Sequence, residues 1–229
     1  MFAKFLRKLT SDETIDKAYR RLGEMLERAS AMFDCANSVI HGKPAAEIEA
    51  QLYDHEHAIN NLERSIRRKL MRHLTVNQGY DTGLCLAMLS TAKDAERIGD
   101  YCHNVFEIGR LYTDGLTDSA HQQAAHDLAE RNRELFGLVI RACRQSDESA
   151  TNAAIERARD IDARCVEFTR RLQESASAEA FHERVAYALL AQHYRRVAHH
   201  LSHIALAIMG RLDDLDFYPE SESEARKAR

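Results

Sequence analysis

The chain has 229 residues, 45% apolar and 30% charged, with a formal charge of −4. That balance belongs to a globular protein and offers no electrostatic reason to bind nucleic acid. No apolar run approaches the length of a membrane span, the N-terminus lacks the hydrophobic region of a signal peptide, and a soluble cytoplasmic protein is expected.

Two prolines in the whole chain, Pro44 and Pro219, and no tryptophan point to long uninterrupted helices. At the N-terminus Phe2, Phe5, Leu6 and Leu9 oppose Lys4, Arg7 and Lys8. Such a short amphipathic segment suits peripheral contact with an anionic membrane or a membrane protein, or equally a cap on the core. Thr10-Ser11-Asp12-Glu13 reads as a capping box that starts the first helix, which His41-Gly42-Lys43-Pro44 ends. A second helix is expected from about Pro44 to Leu74, closed by Asn77-Gln78-Gly79. The third begins near Asp81 and continues through Arg110 to Gly115. The fourth follows Thr117-Asp118 and runs towards Arg144, the fifth ends at Ser175-Ala176-Ser177, and the sixth runs to about Leu215.

The third helix carries one narrow seam, Leu84, Met88, Thr91, Ala95, Ile98, Cys102, Val105 and Gly109, stepping by three or four. Ala95, Gly99 and Gly109 are small enough to admit a neighbouring backbone. Val185, Leu189, Gln192, Val197, Leu201, Ile204 and Ile208 give the sixth helix a matching seam. No segment shows strand alternation bounded by hairpin turns. The five cysteines (Cys35, Cys85, Cys102, Cys143, Cys165) form no CxxC pair and read as buried free thiols of a reducing compartment.

An internal echo links the third and sixth helices. Arg97, Ile98, Gly99 and Val105 recur 99 residues later as Arg196, Val197, Ala198 and Ile204. The fold class expected is therefore all-α, six long helices as two tandem three-helix bundles. Residues 1–115 form the first unit, 116–215 the second, and 216–229 a tail too polar to join a core. Small-residue seams make a homodimer plausible.

The polar positions of the echo diverge: Glu96 becomes Arg195, Asp100 becomes His199 and Asn104 becomes His203. Glu96, Asp100 and Asn104 make a column of oxygen ligands, and Glu56, Asn60 and Glu63, with His57 beside them, make another on the second helix. If the columns face each other they suit iron, manganese, zinc or magnesium. The competing reading is a solvated face on which Arg64, Arg67 and Arg97 pair with these acids. On the sixth helix His199 and His203 stand four apart, with His200 angled away, and Asp162 of the fifth helix would complete a two-imidazole, one-carboxylate site. A basic helical face near Arg195, Arg196 and Arg211, or a pH-responsive one, competes with it. Glu179 and His182 supply a single Glu-x-x-His pair where a di-iron bundle needs two, and adjacent Cys102 and His103 point apart on a helix. No HExxH, Gly-rich phosphate loop or GxSxG elbow occurs, so no catalytic residue is assigned.

Asp94-Ala-Glu-Arg-Ile-Gly-Asp-Tyr-Cys-His-Asn resembles the ERIGD-x-x-x-N signature that the PhoU family carries on the last helix of each repeat. Asn60-Asn61-Leu62-Glu63-Arg64 with Ile66-Arg67-Arg68-Lys69-Leu70 resembles its second helix, and Ile161-Asp162 with Arg171-Leu172 its fifth. The resemblance spans roughly residues 12–212 and implies a non-enzymatic regulator of phosphate transport and phosphate signalling. It implies as partners a membrane phosphate transporter and a phosphate-sensing kinase, at the inner membrane. It also implies metal clusters on ExxxD motifs, carried here by Glu56, Asn60, Glu96 and Asp100. At the second-repeat positions stand Ala158, Asp162, Arg195 and His199, and Arg195 opposes a metal charge directly. A metal-dependent helical-bundle enzyme and an accessory interaction module of another ion transporter are the competing functions.

Overall fold

The computed structural model describes residues 13–76, 81–112, 116, 119–174 and 181–211. The amphipathic segment 1–9, most of the capping box and the tail lie outside the described residues. Six helices follow one another: α1 (Glu13–Ile40), α2 (Ala45–Val76), α3 (Thr82–Leu111), α4 (Ser119–Gln145), α5 (Glu148–Glu174) and α6 (Phe181–Met209).

Local chemistry ends the helices where the chain must turn. Gly42 takes φ +91°, its N–H donates to the Val39 carbonyl and that of Lys43 to the Ser38 carbonyl, closing α1 in a Schellman motif. The same device closes α6, with Gly210 at φ +83°, Gly210 N–H on Ala207 and Arg211 N–H on Leu206. Glycine tolerates this left-handed backbone without strain. The sixth helix therefore stops at Met209, short of the expected Leu215, and the third stops at Leu111, short of Gly115. Asp147 caps α5, its Oδ1 accepting from the Ala150 N–H at 3.0 Å.

Helices α1, α2 and α3 pack mutually, as do α4, α5 and α6, and the two units meet through α3 against α6 and α1 against α4. The two echoing helices therefore lie side by side at the centre, each packed against at least three others, while α2 and α5 sit at the flanks. Phe33 on α1 contacts Phe136 on α4 at 5.5 Å and Tyr194 on α6 at 5.6 Å between ring centroids, joining the units through an aromatic cluster. Arg133 pairs with Asp34 and Arg144 with Glu27, so ion pairs flank the α1–α4 contact.

The α3 seam is buried as expected, apart from partly exposed Leu84. The α6 seam is corrected in its first turns. Val185 and Leu189 are 44% and 46% exposed, whereas Ala186, Tyr187, Leu190, Ala191 and Tyr194 face inward. All five cysteines are buried free thiols. Burial pushes the Cys102 thiol far up and the Cys165 thiol up to about 12, so neither is a thiolate nucleophile. His103 turns away from Cys102, to Glu56.

Candidate functional site

The polar positions that differ between the two copies lie along α3 and α6, and they have taken different chemistry. On the α2–α3 face, His103 Nδ1 lies 3.0 Å from Glu56 Oε2, with the Tyr53 ring edge-on at 5.4 Å. Glu56 is thus engaged by an imidazole from α3. Two turns along α2, Arg67 pairs with Glu63 at 2.6 Å, and on α3 Arg97 pairs with Asp100 at 3.0 Å. Glu96 lies among these groups. Burial first, then Asp100 and Glu63, push its carboxyl above the ordinary range, and Arg97 and Arg67 only partly oppose them. Glu63 of α2 and Asp100 of α3 therefore both act on the charge of Glu96. Asn60 is half-buried on α2, Asn104 is exposed, and His57 is exposed away from the group.

The negative charge leaning on Glu96 is of the kind a hard cation would neutralise, but among the described residues Glu63, Glu96 and Asp100 do not form a group whose ligand atoms all lie within 4.8 Å of one another. The Arg67 and Arg97 guanidiniums supply part of that neutralisation already.

The second unit is built otherwise. Arg195, which stands where Glu96 stands in the first copy, forms an ion pair with Asp162 across α5 and α6. Asp162 still acts on the charge of His199, but its carboxylate is held by the guanidinium. Arg196 Nε donates to the Tyr101 hydroxyl at 3.1 Å and its guanidinium lies 5.6 Å from that ring centroid. His199 sits 3.4 Å from Arg196 Nη1 and 3.2 Å, Nε2 to Nε2, from His203. Burial, then His203, Arg196 and His200, lower the His199 pKa to about 4, with Asp162 opposing. His199 and His203 thus meet as the sequence suggests, but the expected trio with Asp162 is not the one that converges. Arg195 holds Asp162, and His203 turns towards α3.

What His203 meets is Asp94. The angled-away reading of His200 is also corrected. His200 is 8% exposed and its Nδ1 lies 2.9 Å from Asp94 Oδ1, while His203 Nδ1 lies 3.9 Å from the same oxygen. Asp94, at 4% exposure, is enclosed at the junction of the two units. Burial works to raise its pKa, and hydrogen bonding and attraction from His200 and His203 outweigh that and hold it below its ordinary value. The Tyr101 ring stacks on His200 at 5.6 Å and 22°.

Neither Asp94 nor His200 was selected from spacing. A signal existed: Asp94 is four residues before Ile98, and His200 lies between Val197 and Ile204 at steps of three and four. Both are polar residues at core spacing. A helix surrounded on three sides buries more than one seam, which is why single-face reading put His200 outside.

Two mutually packed three-helix units, joined through their echoing third helices, define a tandem helical-bundle protein. The PhoU domain matches the chain twice, over residues 22–109 and 126–208, so the chain belongs to the PhoU family. That family is one of regulators, and membership supports a role in phosphate homeostasis. The crystal structure of PhoU from Pseudomonas aeruginosa is similar in fold, with a TM-score of 0.78 at 16% identity, over 86% of this chain and 95% of that one. No curated protein matches the chain by sequence. No helix among the described residues is long and apolar enough to cross a membrane.

Proposed function

We propose that this protein is a non-enzymatic adaptor that restrains phosphate uptake and the phosphate-starvation response, docking on a membrane phosphate transporter, its phosphate-sensing kinase, or both, from the cytoplasmic side. The observation that carries the reading is the PhoU domain matched separately on each three-helix unit. The charged faces support it chemically. Exposed ion pairs such as Arg97–Asp100 can exchange partners with a docking protein at little net cost, because such pairs contribute only about 0–1 kcal/mol each. A hard cation recruited to Glu96 and Asp100, with Glu56 and Asn60 across from them as the family resemblance implies, would set the charge of the first-unit face, and is part of the proposal.

The test is deletion of the gene, followed by measurement of phosphate uptake and of a phosphate-starvation reporter in phosphate-replete medium. Uptake and reporter should both rise, and plasmid-borne wild type should reverse both. Unchanged values for the two would overturn the function. Metal analysis of protein purified without chelator, with Glu96→Gln as comparison, tests the cation separately.

A further inference from the structure

A second constellation lies inside the molecule, away from the acidic face and independent of the adaptor role. Asp94 of α3 and His200 and His203 of α6 each offer a ligand atom, and these atoms all lie within 4.8 Å of one another. We propose that these three side chains form a site for a divalent transition metal of the zinc class, which ties the two three-helix units together at their centre.

The spacing fits. Asp94 Oδ1 is 2.9 Å from His200 Nδ1 and 3.9 Å from His203 Nδ1. Ligands bound tetrahedrally at 2.0–2.1 Å stand roughly 3.3 Å apart, so the observed separations straddle that value and small side-chain rotations reach it. Two imidazoles with one carboxylate favour zinc, copper, iron or nickel over calcium or magnesium. Three protein ligands leave one position open to water.

The polar accounting points the same way. Asp94 Oδ2 and His200 Nε2 are buried without a hydrogen-bond partner. Buried polar atoms are nearly always paired, and an orphaned oxygen on a buried carboxylate that already faces two imidazoles calls for a missing group. The surroundings have the character of a metal site's outer layer. His199 Nε2 approaches His203 Nε2 at 3.2 Å, leaving His203 Nδ1 towards Asp94, and Tyr101 stacks on His200 and fixes its plane. Asp94 and His200 are 106 residues apart, so an ion held between them links the units directly.

A plain network of ion pairs is the alternative, and a cobalt titration separates the two. Full-length protein stripped with chelator is titrated with Co2+ and then Zn2+, with visible spectra and the thermal midpoint as readouts. One equivalent of Co2+ should give intense d–d bands of four-coordinate nitrogen and oxygen ligation, without a thiolate charge-transfer band. Zinc should bleach them and raise the midpoint. Asp94→Asn, nearly isosteric, and His203→Gln should each weaken binding by more than about a hundredfold, since losing a mere outer-layer partner costs 10–100-fold. Circular dichroism confirms that each variant is folded. Should His203→Gln fail to fold, Asp94→Asn and the wild-type zinc shift decide alone. Cys85→Ser should leave the spectrum unchanged. A featureless titration, bands that persist in Asp94→Asn, or a thiolate band that Cys85→Ser removes would each overturn the proposal. The last would place the ion instead at His73, Asp81 and Cys85, a buried group between α2 and α3.

Discussion

The Tyr194 hydroxyl of α6 donates to Asn37 Oδ1 of α1, with both side chains fully enclosed where the two units meet. Asn37 Nδ2 in turn donates to the Phe33 carbonyl at 2.8 Å, which orients the amide. Burial pushes the Tyr194 pKa well up, so the hydroxyl keeps its proton throughout the working range. Tyr194→Phe keeps the aromatic packing and leaves Asn37 Oδ1 inside with nothing to accept, a cost of about 1–3 kcal/mol. Urea unfolding should show that loss without a change in the slope of free energy against denaturant.

The glycines of α3 make opposite predictions. A Cβ on Gly109 would meet Val39 Cγ1 at 3.0 Å and the backbone nitrogen of Ile40 at 3.1 Å. The end of α1 cannot yield there, because the Schellman motif at Gly42 fixes it. Gly109→Ala should therefore destabilise by about 1–3 kcal/mol. A Cβ on Gly99 meets Ile59 Cδ1 at 3.5 Å, an ordinary contact. Gly99→Ala should be neutral or stabilise by up to about 1 kcal/mol through helix propensity. Alanine at the equivalent Ala198 agrees with this, and thermal unfolding of the two variants tests the pair.

Acid should weaken the fold through its histidines. Burial holds His193 below its ordinary value of 6.5, and burial, His126 and Arg133 do the same to His41. The unfolded chain then binds protons that the folded chain refuses. Stability is complete above 6.5 and falls as the pH drops from there towards the folded values. The thermal midpoint should decline on acidification below that point, and His193→Gln should reduce the decline. A midpoint independent of pH in this window would contradict the assignment.

Thiol chemistry should be silent in the native state. All five cysteines are buried, and burial raises the pKa of Cys102 and Cys165. Excess aromatic disulfide reagent at about pH 8 should label the folded protein slowly, limited by opening, and titrate five thiols once denaturant is added. Rapid labelling of one thiol in the folded state would mark a local opening.

Much of the architecture was readable from residues alone. Scarce proline, apolar steps of three and four, and the glycine or polar breaks between them determined the six helices and their order. The 99-residue echo determined that there are two similar units. Local periodicity suffices because helix formation depends on neighbours within a few positions. Glu96 and Asp100 were also found this way, since they share a face of one helix. Which polar side chains meet across helices was decided only by the tertiary structure. Glu56 took His103, Asp162 took Arg195, and Asp94 drew in His200 and His203. Spacing places a residue on a face but does not say how many neighbours surround the helix. With α6 packed against α3, α4 and α5 and meeting α1 through Tyr194, positions off its main seam are buried too, and a histidine that looks peripheral in the chain ends at the centre of the molecule.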